Sequence, residues 1–484
     1  MLNLRKMYIN GKCVEGKGPL MDVICPATGE VIETIRTASE EQADEALQAA
    51  KDAFAQWSHT SLNERIGWMM KLRDACLAEK ETIVDLMARE GGKSYTEAGN
   101  DFNAFINYFG FYSEEAKRIS GSDIVEMGAA RGASFNTLIK RPLGVVVGYL
   151  AWNMPASNVG LKMCPSMASG CTCVLRPSTQ TPLAAMKIGE LAEKIGLPAG
   201  AVNILTGPAD VIGKRLSGSR IPSMISVIGS SAVGLEVMNQ GATSIKKYSM
   251  ELGGNAPCII MPDVDVEAVA KFVANRKVRI SGQGCANINR IFVHESIHDA
   301  FVEKLVPLVR EIQVGWSKDM PKAMGPLINV HARDRMLSLV EDAVNRGAEL
   351  LYGGVIPELP DELKNGAFFV PAVLDGVTDD MRVAQEEVFG PIYSILTFKD
   401  LDEVVARSNA TDLGLTGFLF THDSRVIARC IEDIEVGELQ VNSPAGFANA
   451  NMPHIGIKQS GLGCDRGAMS LEEYYCVRRI AIQP

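Results

Sequence analysis

Two stretches of the chain combine glycines with a side chain that could act in covalent or acid–base chemistry. Glu251 opens the stretch Glu251–Gly254, and Cys285 closes the stretch Gly282–Cys285, 34 residues further on. A cysteine thiolate is a strong nucleophile where its surroundings stabilise it, and glycines let a substrate and backbone N–H groups approach closely. A cysteine is also often a small buried apolar side chain, and a glutamate at a strand end is often a surface group. The pattern predicts a cysteine nucleophile served by a carboxylate base.

These two stretches, with Arg290 five residues after Cys285, resemble the aldehyde dehydrogenase superfamily, whose two catalytic positions have the same spacing. Further segments match in the same order: Trp152-Asn153, Lys162, Gly229-Ser230 with Gly234, and Glu387-Val388-Phe389-Gly390-Pro391. The resemblance extends from Tyr8–Gly11 to Gln459–Gly461 and so covers nearly the whole chain. Several motifs in one order identify a family far more specifically than a single motif does.

The resemblance implies a catalytic role for each matching residue. Cys285 would attack an aldehyde carbonyl, and the side-chain amide of Asn153 and the Cys285 backbone N–H would meet the resulting oxyanion. Hydride transfer to nicotinamide would leave a thioester, which water activated by Glu251 would hydrolyse. Since apolar residues flank this carboxylate, desolvation is expected to raise its pKa and suit it to base catalysis. Lys162 is expected to lie near the site in a supporting role.

A nicotinamide dinucleotide is the cofactor that the resemblance implies. Glu387 matches a glutamate that binds a ribose, and Phe389 matches a ring beside the nicotinamide. The turn Gly229–Gly234 lies between a predicted strand and a predicted helix, so it offers a helix N-terminus to a phosphate group. A plain strand-to-helix turn is the alternative interpretation of these glycines. The full set of predicted cofactor contacts is Trp152, Arg176, Ser178, Thr179, Gly229, Ser230, Gly234, Leu252, Glu387 and Phe389.

The stretch Arg176–Thr179 departs from the family pattern. Arg176 stands where relatives usually have lysine, and Thr179 stands where strict NAD users often have an acid that holds the adenine ribose hydroxyl. A guanidinium with no nearby acid favours a 2′-phosphate, because its planar fork matches phosphate geometry. The cofactor is therefore predicted to be NAD or NADP.

The expected substrate is a small polar aldehyde. The loop Ser443–His454 is rich in asparagine and poor in large apolar groups, and the predicted substrate contacts are Met154, Asn449 and His454. The arrangement is similar to lactaldehyde and glycolaldehyde dehydrogenases, although packing within the loop is an equal alternative for His454. Leu161 stands where some hydroxyaldehyde relatives have a basic residue, which argues against an anionic tail. Succinic semialdehyde is the second candidate.

Two alternatives come from other classes. A coenzyme A-acylating dehydrogenase would pass the thioester to coenzyme A, but such relatives commonly lack the glutamate at the position of Glu251. A non-catalytic structural relative would be expected to lack the nucleophile, and Cys285 is present. Hydrolysis and catalysis are therefore favoured.

Length, composition and charge limit the classes of partner and the location that are expected for the chain. Its 484 residues exceed one core, and its formal net charge of −10 disfavours nucleic acid and anionic membranes as main partners. No apolar stretch is long enough to span a bilayer, and the N-terminus has no apolar signal core, so a cytoplasmic location is expected. The 11 cysteines are interpreted as free thiols. Cys171 and Cys173 have no ligand cluster near them, and no metal site is predicted.

The pattern of elements is that of an α/β fold with a Rossmann-like open-sheet cofactor domain, an α/β catalytic domain and a small β arm. Ser39 followed three residues later by Gln42 predicts a helix with a capping box, Ser61–Arg89 is predicted to be helical, and Ile392–Phe398 is predicted to be a strand. The predicted division assigns residues 1–120 and 141–253 to the cofactor domain and 254–453 to the catalytic domain. Residues 121–140 and 454–484 are predicted to be oligomerisation segments. Because the strand-like arm Gly121–Ile139 and the tail Glu473–Ile482 would leave open edges, a homodimer or homotetramer is expected.

Overall fold

The computed structural model describes residues 5–123, 135–443 and 450–482. Its strands in chain order are β1 (Met7–Ile9), β2 (Lys12–Val14), β3 (Leu20–Ile24), β4 (Val31–Arg36), β5 (Ser122–Asp123), β6 (Phe135–Pro142), β7 (Val145–Leu150), β8 (Thr172–Pro177), β9 (Val202–Ile204), β10 (Met224–Ile228), β11 (Lys247–Glu251), β12 (Ala256–Ile260), β13 (Ile288–His294), β14 (Glu349–Tyr352), β15 (Ala372–Asp375), β16 (Ile392–Phe398), β17 (Leu413–Gly414), β18 (Thr416–Phe420), β19 (Glu438–Val441), β20 (His454–Ile455), β21 (Ile457–Lys458), β22 (Gly461–Leu462), β23 (Cys464–Asp465) and β24 (Tyr475–Ile482).

The α-helices in chain order are α1 (Glu40–Trp57), α2 (Leu62–Ala78), α3 (Lys80–Gly91), α4 (Tyr95–Ala116), α5 (Pro155–Ser169), α6 (Leu183–Lys194), α7 (Lys214–Gly218), α8 (Ser231–Gly241), α9 (Val266–Lys277), α10 (His298–Arg310), α11 (Val330–Asn345), α12 (Arg382–Gln385), α13 (Leu401–Asn409), α14 (Ser424–Asp433) and α15 (Gly467–Glu472).

Two large sheets organise these elements. The first has the order β2-β1-β9-β8-β7-β10-β11-β22, and its five central strands from β9 to β11 are parallel. The second has the order β14-β15-β16-β13-β12-β18-β19, and it is parallel except for β14. This mixture of helices and largely parallel sheets is the predicted α/β fold class. The division of the chain into domains stays a prediction.

Both faces of the second sheet are buried at its central strands β12, β13, β16 and β18, which explains why these strands are nearly continuous apolar runs. Successive side chains point to opposite faces of a strand. Accordingly Ile259 and Phe292 pack in one apolar cluster, whereas their neighbours Ile260 and Val293 pack in another on the opposite face. All four side chains are fully buried. The carboxyl ends of these strands therefore emerge from a rigid core.

Local sequence signals set several helix ends. Ser39 caps α1, and the reciprocal bonds with Gln42 form the predicted capping box. The helical stretch predicted over Ser61–Arg89 is instead two helices, because α2 ends before Glu79 and α3 starts directly after it. No helix in the described ranges is both long and apolar enough to cross a membrane.

The C-terminal tail pairs with the arm within the same chain. β24 runs antiparallel to β6 over its full length, from Tyr475 opposite Pro142 to Ile482 opposite Phe135. β5 pairs with the other side of β6, giving a three-stranded sheet in the order β24-β6-β5. The remainder of the predicted arm, residues 124–134, lies outside the described residues.

Candidate active site

Three ionisable side chains from distant parts of the chain meet between the two large sheets. Glu251 ends β11, Cys285 lies in the loop before β13, and His454 begins β20. The His454 Nε2 atom lies 3.0 Å from Glu251 Oε1 and 3.7 Å from Cys285 Sγ. The ligand-type atoms of all three residues lie within 4.8 Å of one another. The nucleophile and the base predicted from the sequence are thus brought together, and His454 joins them.

Glycines allow the backbone to close around this cluster. A Cβ atom on Gly254 would lie 2.5 Å from the Cys285 carbonyl oxygen, so any side chain there would displace the nucleophile loop. Gly282 has a φ of +78°, and a Cβ there would lie 2.2 Å from the Gly390 carbonyl carbon. Only glycine adopts this positive φ without strain and has no Cβ atom to clash with Gly390. The glycines around Glu251 and Cys285 therefore serve the close approach that the sequence predicted.

Asn153 contacts the loop that carries Cys285. It follows β7, and its Nδ2 atom donates to the carbonyl oxygen of Gln283, 3.2 Å away and two residues before Cys285. The Oδ1 atom is buried without a hydrogen-bond partner among the described residues. A side-chain amide has two N–H donors, so one remains for a bound oxyanion.

The charge state of Glu251 differs from the expectation. Burial alone would raise the pKa of this carboxyl group, as the sequence analysis assumed, but the hydrogen bond and charge of His454 outweigh burial. The pKa of Glu251 is therefore lowered from its ordinary value. The prediction of a raised pKa was wrong because His454, 203 residues away in sequence, is adjacent in space.

Cys285 is held as a thiol in this arrangement. Burial raises its pKa to about 12, and the neighbouring Glu251 carboxylate adds to the increase, whereas the hydrogen bond with His454 lowers it. The thiol therefore needs a base or an added positive charge before it can attack.

His454 contacts three ionisable side chains and is therefore more than a packing residue of its loop. Burial lowers its pKa, but interactions with Cys285, Glu251 and Glu438 raise it well above its ordinary value. Its Nδ1 atom is hydrogen-bonded to Glu438 Oε1. Sequence reasoning missed Glu438, for which the available signal was an acidic residue at the start of the apolar strand β19.

Lys162 lies in a buried ion pair. Its Nζ atom donates to Asp465 Oδ1 at 2.5 Å, and the lysine is fully buried within α5. Asp465 is the cross-strand partner of His454 in the β20–β23 pair. Lys162 thereby contacts the strand that pairs with the one carrying His454, which fits a supporting position.

Another side chain missed from the sequence is Arg466. It has a φ of +61°, which is unusual for a residue other than glycine, and its Nε atom is buried without a hydrogen-bond partner among the described residues. Burial lowers the pKa of this guanidinium, but the charges of Tyr108, Glu438, Cys285 and Glu251 raise it. A cation therefore faces the cluster.

The predicted cofactor residues fall into a connected group. The rings of Trp152 and Phe389 make an edge contact with centroids 5.3 Å apart, and Phe389 holds a φ of +52°. Glu387 Oε1 accepts a hydrogen bond of 2.9 Å from the Gly254 N–H, and burial raises its pKa to about 7. These residues lie directly beside the Glu251 and Cys285 loops.

The strand-to-helix turn has the form predicted for a phosphate contact. Gly229 follows β10, and Ser230 caps α8 by accepting a bond from the Val233 N–H. A Cβ atom on Gly234 would lie 2.8 Å from Leu252, so this glycine lets α8 pack against the motif that carries Glu251. The N-terminus of α8 is thereby placed at the carboxyl edge of the first sheet.

Arg176 is less available than the sequence suggested. Its Nε and Nη2 atoms both donate to the Gly207 carbonyl oxygen, at 3.1 and 2.6 Å. The planar fork expected to bind phosphate is therefore largely committed to the protein backbone. Ser178 and Thr179 follow β8 and are partly exposed.

The predicted substrate contacts are only partly described. Met154 Sδ lies 3.3 Å from the Nζ atom of Lys93, which forms a buried ion pair with Asp101. Asn449 lies outside the described residues. The roles of all the site residues named from the sequence stay predictions.

Comparison with known proteins defines the class. Residues 13–480 match the aldehyde dehydrogenase family. The chain is 34% identical to glutarate-semialdehyde dehydrogenase of Pseudomonas putida, covering 99% of this chain and 98% of that protein. It is 32% identical to succinate-semialdehyde dehydrogenase [NADP(+)] GabD of Escherichia coli, covering 99% and 98%. The crystal structure of lactaldehyde dehydrogenase from Escherichia coli superposes with a TM-score of 0.94 at 33% identity, covering 99% of each chain.

The chain belongs to the aldehyde dehydrogenase family. The predicted family, α/β fold class, enzyme class and use of NAD or NADP are confirmed. Its activity is that of an aldehyde dehydrogenase on semialdehydes or other small aldehydes.

Proposed function

We propose that the enzyme oxidises a short hydroxyaldehyde, such as lactaldehyde or glycolaldehyde, to the carboxylic acid with NAD⁺ or NADP⁺. The observation that carries this proposal is the polar environment of the nucleophile. The His454 ring lies 3.7 Å from Cys285 Sγ and is itself held by two carboxylates. Polar side chains at such a site favour a substrate that carries a hydroxyl group, because the hydroxyl can form hydrogen bonds there.

Each residue near Cys285 has a task in this reaction. The Cys285 thiol loses its proton to solvent as Sγ attacks the aldehyde carbon, and the side-chain amide of Asn153 donates to the oxyanion. A bound nicotinamide cofactor would supply the hydride acceptor. Glu251 then takes a proton from the water that hydrolyses the thioester. Its lowered pKa keeps it ionised and ready for this step at neutral pH.

The residues that would hold the cofactor fit a dinucleotide. The Ser230-capped N-terminus of α8 offers backbone N–H groups to a pyrophosphate, and Glu387 offers a carboxylate oxygen to a ribose hydroxyl. Trp152 and Phe389 form an aromatic corner beside the catalytic loops.

A semialdehyde with a terminal carboxylate is the second candidate, and Arg466 favours it. The buried Nε atom of this guanidinium makes no hydrogen bond within the described ranges, and leaving such a donor unpaired is costly. A carboxylate tail would supply a charge-assisted partner. The named relatives include dehydrogenases of glutarate and succinate semialdehydes.

A matched panel of aldehydes separates the two candidates. We expect kcat/KM for lactaldehyde and glycolaldehyde to exceed that for propanal and acetaldehyde by about tenfold or more, since one substrate hydrogen bond to a charged group contributes ~1.5–3 kcal/mol. Cofactor reduction at 340 nm is the measurement. Higher efficiency with succinic or glutaric semialdehyde, lost selectively in Arg466→Gln, would select the second candidate.

Cofactor preference tests the position of Thr179. We expect Thr179→Glu to lower NADP efficiency about tenfold relative to NAD, because a carboxylate repels a 2′-phosphate but accepts a bond from a 2′-hydroxyl. The ratio of kcat/KM for the two cofactors is the measurement, and Thr179→Gln is the uncharged control. An unchanged ratio in both variants means that residue 179 does not face the ribose.

We also propose a homodimer or homotetramer located in the cytoplasm, with residues 1–120 and 141–253 as the cofactor domain and 254–453 as the catalytic domain. None of the eleven cysteines, which all lie in the described part of the chain, forms a disulfide. Free thiols fit a reducing compartment.

A further inference from the structure

The imidazole of His454 is bonded to a carboxylate at each end. Its Nδ1 atom bonds Glu438 Oε1 and its Nε2 atom lies 3.0 Å from Glu251 Oε1. The side chains of His454, Glu251 and Glu438 are only 3%, 6% and 9% exposed. They belong to β20, β11 and β19, so the fold brings them together from three separate strands.

This arrangement requires a proton on both ring nitrogens. A neutral imidazole donates through one nitrogen only, whereas each carboxylate needs a donor. With two carboxylates facing it, the ring carries a positive charge that both of them stabilise. We propose that Glu438 holds His454 as an imidazolium, and that this pair keeps Glu251 ionised and oriented as the base for thioester hydrolysis. Glu438 is then a positioning residue, since it acts on Glu251 through His454. The inference rests on the roles proposed above for Cys285 and Glu251.

Other charged groups around the ring leave this conclusion in place. The Cys285 thiol faces Nε2 at 3.7 Å, and Arg466 opposes the charge on His454 while attracting Glu438 and Glu251. Arg276, on α9, interacts with Glu438 and Cys285 and donates to the Ala286 carbonyl oxygen. Asp465, the cross-strand partner of His454, is engaged by Lys162, and the Cys464 thiol donates to the Asp465 and Arg466 carbonyl oxygens.

The consequence concerns pH. Burial would raise the pKa of Glu251, and His454 is the main group that lowers it. If Glu438 is replaced by a neutral side chain, the imidazolium is less stable. Its hydrogen bond and charge then lower the pKa of Glu251 less strongly. A carboxylate with a higher pKa stays protonated to higher pH, so the acidic limb of hydrolysis must move upward.

The test uses an acyl donor that is independent of the natural aldehyde. p-Nitrophenyl acetate transfers its acetyl group to Cys285 Sγ, with loss of p-nitrophenolate and release of the thiol proton to solvent. Water then adds to the thioester and gives its proton to Glu251, and the C–S bond breaks to release acetate. Decay of the acetyl adduct, followed by mass spectrometry of acid-quenched enzyme between pH 5 and 9, reports hydrolysis alone.

We expect Glu438→Gln to shift the acidic limb of adduct decay upward by about one pH unit, which is tenfold slower decay on that limb. Glu438→Asp should restore most of the wild-type profile. Glu435→Gln is the matched control, since Glu435 lies three residues earlier, is half exposed and pairs with Lys458. His454→Gln should reproduce the Glu438→Gln shift, which keeps the test decisive if the first variant folds poorly.

A wild-type limb in folded Glu438→Gln or His454→Gln overturns the inference. Glu251→Gln distinguishes this failure from failure of the proposed function, because it should stall adduct decay at every pH. If Glu251→Gln hydrolyses the adduct at the wild-type rate, the proposed base is wrong and the positioning role falls with it.

Discussion

Replacement of Cys285 by alanine is expected to abolish aldehyde oxidation while cofactor binding persists. The Cys285 thiol lies in one cluster with Glu251 and His454, and Asn153 donates a hydrogen bond to the Cys285 loop at Gln283. Without a covalent adduct there is no oxyanion from which hydride can leave, so kcat should fall by about 10⁴-fold or more. Steady-state cofactor reduction measures the loss, and fluorescence titration measures binding.

A matched cysteine variant separates chemistry from folding. Cys13 is a partly exposed free thiol on β2, at the outer edge of the first sheet, so Cys13→Ala should retain normal turnover. Thermal melts should show both variants folded. More than a trace of oxidation by Cys285→Ala would require a different nucleophile.

The sequence predicted the fold well where local patterns determine structure. The Ser39 capping box marked the start of α1, and the apolar run over Ile392–Phe398 is β16 as observed. Local patterns do not reveal how two helices divide, and the break at Glu79 between α2 and α3 has no glycine or proline to mark it.

The motifs predicted a nucleophile and a base, but they could not predict the electrostatics of these two side chains. Three side chains that set these electrostatics lie in the C-terminal part of the chain, at Glu438, His454 and Arg466. No motif or periodicity in the sequence predicts that they meet near Glu251. The β20–β23 pairing and the outer position of β19 bring them to one point. Long-range contacts of this kind decide the sign of a pKa shift, which explains the wrong expectation for Glu251.

Arg176 shows the same limit for specificity. The sequence identified a guanidinium in place of a lysine, and the chemistry of a free guanidinium favours phosphate. The Gly207 carbonyl oxygen, 31 residues away, accepts two of its N–H groups. A residue type indicates what a side chain can bind, but its neighbours in space determine which of its hydrogen-bond donors remain available to a ligand.

Removal of the C-terminal strand is expected to convert an oligomer to monomers. β24 is the outer strand of the three-stranded sheet and exposes Val477 and Ile482, which are 62% and 53% exposed. Further large apolar side chains are exposed in the segment that precedes β24 in the chain, at Ile457, Leu462 and Met469. An apolar outer strand is a surface that soluble proteins normally cover. Pairing with the same strand of a second copy across a two-fold axis would cover this surface.

Deleting residues 476–484 tests this without disturbing the core, because Tyr474, which is only 2% exposed, remains in place. We expect light scattering at micromolar concentration to give a multiple of 52.2 kDa for the intact chain and a mass near that of one chain for the truncated form. The melting temperature should fall by several degrees, since the newly exposed β6 edge and the lost interface both destabilise the fold.

Point variants test the same contact. The double variant Val477→Lys, Ile482→Lys should also weaken assembly, whereas Ile245→Lys, at a fully exposed position, should leave the mass unchanged. A monomeric mass for the intact chain, or an unchanged oligomer after truncation, would show that β24 does not carry the contact.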